Sequence, residues 1–174
     1  MAVEHRSVEP LRAADRFDLY YRRCYASTLA VVLALRGPRV GVEEVVQEAF
    51  LRAFARWDEV GAMDRPDLWV QRVALNLASS QLRRLGAEAR ALARLEGRRE
   101  PVTGGSTESE GFWRLVRRLP RGQAAVVALH YAGDLPVTDV AAVLGVPPGT
   151  VKSRLHAARQ RLARQLEVEE GGDG

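Results

Sequence analysis

The chain has 174 residues and a formal net charge of +4; 47% of its residues are hydrophobic, 28% charged and 6% aromatic. That balance excludes disorder throughout, and the length fits one ordinary domain or two small helical ones. The basic surplus favours a polyanionic partner, because Lys and Arg neutralise phosphates and release condensed counterions, although Lys152 is the only lysine and so strong an arginine bias also speaks for a GC-rich genome.

Cys24 is the sole cysteine, so no intrachain disulfide can form and a reducing cytoplasm is the simplest setting. The longest apolar run, residues 29–35, is about a third of the roughly 20 residues needed to span a bilayer, and the N-terminus lacks a basic-then-apolar leader pattern. A soluble, cytoplasmic chain with no membrane contact is expected.

In chain order, apolar residues recur at helical spacing over residues 11–25, and residues 26–35 continue as a nearly all-apolar helix that Gly37 and Pro38 stop. The next segment puts Val42, Val45, Val46, Ala49, Phe50, Ala53, Phe54 and Trp57 on one face, and Glu43, Glu44, Gln47, Glu48, Arg52 and Arg56 on the other. A loop over 58–65 contains Gly61 and leads to Pro66, which suits the first turn of a helix because its missing N–H is unneeded there. That helix is predicted to end near Leu85.

Residues 86–111 alternate glutamates with arginines and contain Pro101, Gly104 and Gly105, the composition of a linker, although 87–95 can extend a helix. Helices are then predicted over 112–119, 122–131, 137–144 and 148–166, with no strand-like alternation of useful length. The expected architecture is all-α: a helical domain over 11–86, a flexible linker over 87–111, a second helical domain over 112–166 and an acidic tail over 167–174.

The sharpest local pattern is PVTDVAAVLGVPPGTVKSRLHAARQRL. Ala141 is small where two helices approach, Gly145 permits a left-handed turn, and Val140, Leu144, Val146, Val151 and Leu155 supply the wedge between helices. This is a helix-turn-helix whose second helix can present its N-terminal residues to a DNA major groove. Pro136 sets the start of its first helix, with Asp134 or Thr138 expected to cap the free N–H groups. On the second helix Lys152, Arg154, Arg159, Arg161 and Arg164 carry charge suited to phosphates, and Thr150, Lys152, Ser153 and His156 are candidates for base edges. A pair of packed helices with a solvated basic face is the plain alternative.

At these residues the chain resembles the extracytoplasmic-function sigma factors of bacterial RNA polymerase, within the sigma-70 family. The string LPRGQAAVVALHYAGDLPVTDVAAVLGVPPGTVKSRLHAARQRL is similar to that family's fourth conserved region, while VEEVVQEAFLRAFARW and PDLWVQRVALNLASSQLRR are similar to its second. The order of the blocks is more specific than the widely shared GTVKSRL string.

The resemblance implies a non-enzymatic subunit that binds core polymerase, reads a −35 duplex with one domain and opens the −10 element with the other. It implies that Glu44, Gln47 and Glu48 dock on a coiled coil of the largest polymerase subunit, and an acidic helix face suits an arginine-bearing partner. It further implies −10 contacts by Arg65, Arg72, Asn76, Arg83 and Arg84, a base pocket at loop 58–65, and −35 contacts by Thr150, Lys152, Ser153, Arg154, His156 and Arg159. Promoter DNA and core polymerase are thus the expected partners, with association to the nucleoid when bound, and an anti-sigma factor is a further partner the family admits.

The chain departs from the family pattern at Gly41, Ser80, Pro136, Val137 and Ala157, so the promoter sequence cannot be carried over. The competing function is a stand-alone helix-turn-helix regulator whose N-terminal half binds an effector or dimerises. An enzyme is disfavoured: His5, His130 and His156 lack metal-ligand spacing, Cys24 lacks a nearby His partner, and no glycine-rich phosphate loop is present. No cofactor, metal or small-molecule substrate is expected.

Overall fold

A computed structural model of the chain describes residues 13–93 and 108–171, and all regular structure among them is helical. The predicted helices over 11–25 and 26–35 are one continuous helix, α1 (Ala13–Arg36), which buries Tyr20, Cys24, Thr28, Val31, Val32 and Ala34. Thr28 is satisfied inside it, its hydroxyl donating to the Cys24 carbonyl at 2.9 Å. Gly37 ends the helix at φ 72°, its N–H reaching the Leu33 carbonyl at 2.7 Å.

Helix α2 (Val42–Ala55) buries Val42, Val45, Val46, Ala49, Phe50 and Ala53 along one stripe. One residue assigned to that stripe departs from it, since Phe54 is 51% exposed, while Trp57, just past the end of α2, is half-buried against the core. The predicted loop 58–65 begins inside a one-turn helix, α3 (Trp57–Val60), whose Val60 is buried. Helix α4 (Pro66–Ala93) runs past the predicted end near Leu85, because one glycine at position 86 costs a helix only about 1 kcal/mol and strong helix formers follow. The remainder of the predicted linker, 94–107, lies outside the described residues.

Helices α1, α2 and α4 enclose one core, with Val32, Val46, Phe50, Val70 and Ala74 at its centre. Aromatic rings close its edge: Phe17 packs edge-on to Trp57 with centroids 5.1 Å apart, and Tyr21 packs edge-on to Phe50 at 4.9 Å. The Tyr20 hydroxyl donates to the Pro66 carbonyl at 3.1 Å, tying α1 to the start of α4.

The C-terminal half contains α5 (Glu108–Arg118), α6 (Arg121–Val127), a π-helical turn over Ala128–Ala132, α7 (Val137–Leu144) and α8 (Pro148–Gly171). Helix α5 begins four residues before the predicted Phe112, and α8 continues through the first residues of the predicted tail. In the π turn the Gly133 N–H reaches back five residues to the Ala128 carbonyl at 3.0 Å. His130 then closes the following turn, Nδ1 lying 2.8 Å from the Leu135 carbonyl.

The two halves share a core. Val31 and Ala34 of α1 and Leu75 of α4 join one buried cluster with Leu115, Val116, Leu129, Val140 and Val143 of the second half. The approach is close at Gly133, where a Cβ would stand 2.8 Å from the Val31 Cγ2. The expected pair of domains is therefore packed half against half, a contact that periodicity within either half does not encode.

Candidate nucleic-acid and polymerase interfaces

Three surfaces collect the residues singled out in the sequence. The first is the outer face of α2. Glu44 and Gln47 are exposed there, and Glu48 is half-buried, with one carboxylate oxygen 2.8 Å from the Arg52 Nε. The same stripe continues, at helical spacing, to Leu51 and Phe54, which are 61% and 51% exposed. With Phe17, Tyr21 and Phe50 they line an apolar groove of about 330 Å³ beside Gln47. Phe54 was missed as a surface residue because an apolar residue on the apolar face of an amphipathic helix reads as core, and Leu51, which falls between the two faces, was assigned to neither.

The second surface runs from the 61–65 turn along α4. Arg72, Asn76 and Arg83 are exposed and follow each other at spacings of four and seven, so they share one helix face, with Arg84 exposed beside them. Arg65 precedes the helix and forms a two-bond fork with Asp67, Nε to Oδ1 at 3.0 Å and Nη2 to Oδ2 at 2.7 Å. These bonds, with a third that Arg65 donates to Asp139, push the Arg65 pKa up. Burial would raise the Asp67 carboxyl, but the hydrogen bonds and charge of Arg65, with the N–H groups of Asp67 and Leu68, outweigh it and hold Asp67 below the usual carboxylate range.

Next to this face, under the 57–62 segment, Arg16, Tyr20, Arg23, Trp57, Asp58 and Ala62 line a cavity of about 730 Å³. Gly61 is required at its rim, since a Cβ there would lie 2.7 Å from the Trp57 carbonyl and 2.9 Å from its ring. Arg16 and Arg23 escaped notice in the sequence because they sit on α1, far along the chain from the loop they meet. Trp69 is half-buried and faces Arg56, whose guanidinium carbon lies 6.0 Å from the ring centroid.

The third surface is the helix-turn-helix. Gly145 adopts φ 65° and ψ 38°, the left-handed conformation the pattern requires, and Val146 closes back on the Ala141 carbonyl at 3.1 Å. The wedge forms: Val140, Val151 and Leu155 are buried, with Leu144 and Val146 packed against them. No side chain caps α7, so neither Asp134 nor Thr138 plays the capping part expected of it, and Pro136 alone sets the start.

Along α8, Val151, Leu155, Ala158 and Leu162 point inward, leaving Lys152, Ser153, His156 and Arg159 exposed and Thr150 half-buried. Ser153 turns its hydroxyl back to the Thr150 carbonyl at 3.0 Å, and His156 Nε2 lies 3.0 Å from Gln160. Arg159 donates from Nε to the Tyr131 hydroxyl at 2.9 Å and lies over its ring, an orienting contact from the π turn that helical periodicity does not reveal. Arg154 stands apart from this group: it is half-buried, with its guanidinium folded against Gly122 at the start of α6.

The family described as Sigma-70 region 2 matches residues 20–88, and that described as Sigma-70, region 4 matches residues 109–162. The chain is 34% identical over 160 residues to the ECF RNA polymerase sigma factor SigM of Mycobacterium tuberculosis, across 88% of this chain and 80% of that protein. This chain is an extracytoplasmic-function sigma factor of the sigma-70 family. The sigma factor is also 27% identical over 172 residues to SigW of Bacillus subtilis, across 88% of each chain. Its fold matches that of the sigma factor RpoE of Bartonella quintana, solved with the anti-sigma factor NepR, at a TM-score of 0.70 and 26% identity over 87% of this chain and 97% of that one. Among the described residues of the sigma factor, no helix is long and apolar enough to cross a membrane, and no cluster of His, Cys, Asp or Glu has the grouping to hold a metal ion.

Proposed function

We propose that this RNA polymerase sigma factor divides promoter recognition between its two halves, with polymerase supplying the chemistry and the chain itself catalysing nothing. The observation that carries this reading is the sorting of α8: its inward residues are buried in the wedge while Lys152, Ser153, His156 and Arg159 form one outward polar face beside Thr150. That face fits a −35 major groove, with Lys152 and Arg159 on phosphates and Thr150, Ser153 and His156 near base edges. Arg154, turned toward α6, serves this contact only at its edge.

In the same proposal, Arg65, Arg72, Asn76, Arg83 and Arg84 track the opened −10 strand. The cavity beneath the 57–62 segment takes an extruded base, with Arg16 and Arg23 near the backbone and Tyr20 and Trp57 offering ring surface. Glu44, Gln47 and Glu48 meet a basic helix of the largest polymerase subunit, while Leu51, Phe54 and the adjoining groove give that contact an apolar centre. The likeness to a sigma factor solved with an anti-sigma factor supports an inhibitory protein partner for this chain as well. A cytoplasmic location, at the nucleoid when polymerase-bound, follows from these partners.

The division of labour is tested by Gln47→Ala with Glu48→Ala, measured for core-polymerase affinity and, separately, for duplex binding by the full chain. Loss of polymerase affinity with duplex binding retained is expected. Equal loss of both would overturn the assignment of α2.

A further inference from the structure

Tyr131 stands where helical periodicity would bury it. It follows Ala124, Val127 and Ala128 at spacings of seven, four and three, and all three are buried, so an uninterrupted helix would carry its ring into the same core. The π turn over Ala128–Ala132 takes one residue more than an α-helical turn, which moves Tyr131 off that stripe and leaves it 49% exposed. His130 braces the ring, packing edge-on to it with centroids 4.8 Å apart, and His130 Nδ1 lies 2.8 Å from the Leu135 carbonyl.

The exposed phenol meets Arg159 of α8. Arg159 donates from Nε to the Tyr131 hydroxyl at 2.9 Å, and its guanidinium carbon lies 5.9 Å from the ring centroid. Several exposed arginines of the first half are held by acids: Arg22 by Asp18, Arg52 by Glu48 and Arg56 by Glu59. Residues 140–166, by contrast, include no acid, and Arg159 is fixed by a neutral oxygen that leaves its charge uncompensated. A carboxylate in that place would compete with a phosphate for the guanidinium; a phenol does not.

Two sets of donors stay open at this spot. The Tyr131 hydroxyl accepts from Arg159 and keeps its own proton, and neither that proton nor the Arg159 Nη atoms have an acceptor among the described residues. Arg159 shares the outward face of α8 with Lys152 and His156, at spacings of seven and three. It lies nine residues beyond Thr150, about 13 Å along the helix at 1.5 Å per residue, which is close to the width of a major groove. With the first turns of α8 over base edges, Arg159 therefore reaches the phosphate wall.

We propose that Tyr131 and Arg159 form one phosphate clamp at the edge of the −35 duplex. Tyr131 takes the Arg159 Nε, which leaves the two Nη atoms for the phosphate, and donates its own O–H to the same group. The proposal rests on the −35 reading of α8 and adds to it a residue outside the helix-turn-helix that both positions the arginine and touches DNA. The π turn is the device that makes the clamp, since without it the ring would be core.

The test measures the affinity of the full chain, alone and on core polymerase, for a random-sequence DNA duplex over a range of salt, using Tyr131→Phe, Arg159→Ala and the double variant. Y131F keeps the ring and removes only the hydroxyl, so its thermal unfolding should match the wild type while duplex binding weakens about three- to tenfold. R159A should weaken binding and lower the slope of log affinity against log salt by about 1. The double variant should lose less than the product of the two single losses, because the hydroxyl acts partly through the arginine. On a duplex selected from a library by the wild-type chain, Y131F should lose the same factor, since a phosphate carries no sequence. Unchanged affinity in Y131F, or single losses that simply multiply, overturns the clamp and leaves the −35 reading standing on the R159A result. A loss confined to the selected duplex places the hydroxyl on a base and also overturns the clamp. If R159A binds as the wild type does, or no duplex is bound even on core polymerase, the −35 assignment of Arg159 falls and the clamp with it.

Discussion

Gly145 and Gly149 flank the start of the recognition helix four residues apart, and alanine at the two positions is expected to act with opposite sign. A Cβ at either meets nothing within 4 Å, so packing drops out and only the backbone decides. Gly145 stands at φ 65°, where an L-residue costs about 1–2 kcal/mol; replacing any glycine returns about 0.4–1 kcal/mol by restricting the unfolded chain. Gly145→Ala should therefore destabilise by about 1 kcal/mol. Gly149 lies within the first turn of α8 without a positive φ, so Gly149→Ala should stabilise by about 0.4–1 kcal/mol. Because the two halves share a core, one unfolding transition should report both changes, and each kcal/mol moves the Tm of a chain this size by about 2–4 °C. Thermal and urea unfolding followed by circular dichroism measure the pair, with Gly145→Asn as an intermediate since Asn tolerates the left-handed region. A Gly145→Ala protein as stable as the wild type, or a Gly149→Ala protein less stable than Gly145→Ala, would refute the turn geometry.

On α2, Leu51→Glu with Phe54→Ser should cost about 1 kcal/mol of folding stability, because Leu51 is mostly exposed and Phe54 is half-exposed against Phe17, yet weaken core-polymerase binding by about tenfold or more. Titration of labelled chain against core polymerase checks this. Lys152→Ala should lower duplex affinity and, if the lysine holds a phosphate, reduce the slope of log affinity against log salt by about 1; a shifted sequence preference at constant slope would assign it to a base instead. Asp67 titrates below its ordinary value of about 3.9 in the folded chain, so its contribution is present at neutral pH and lost as pH falls through the folded value. Asp67→Asn should accordingly flatten the stability profile below about pH 4, whereas a profile unchanged by the substitution would show that the Arg65 fork does not hold the carboxyl down.

Local chemistry was legible in the sequence wherever one residue type has few alternatives. Gly145 could be placed in a left-handed turn because few other residues accept that backbone, and Val140, Val151 and Leu155 could be placed in a wedge because helical spacing puts them on one side. Features that depend on what lies across space were not legible. Phe54 reads as core on an amphipathic helix, but half of it is exposed because the underlying space is filled by Phe17 and Phe50. Arg65 and Arg72 read as free cations for phosphate, yet Asp67 holds Arg65 and α7 from the other half supplies a further acceptor to Arg65 and both acceptors of Arg72. Tyr131 reads as one more apolar residue of a helix until the π turn carries its hydroxyl to Arg159. The end of α4 was misjudged for a different reason, since the cost of Gly86 is smaller than the summed helix preference of the residues that follow.

The central claim is that both halves address one promoter while α2 holds polymerase. The most direct measurement is transcription reconstituted from this chain, core polymerase and a promoter library, with permanganate footprinting of the complexes formed. The account predicts promoter-specific transcripts that depend on this chain, reactive thymines confined to the −10 region, and loss of that reactivity in Asn76→Ala while −35 protection persists. Protection of −35 duplex with no opened −10 region and no specific transcript would contradict it, and would describe a duplex-binding regulator instead.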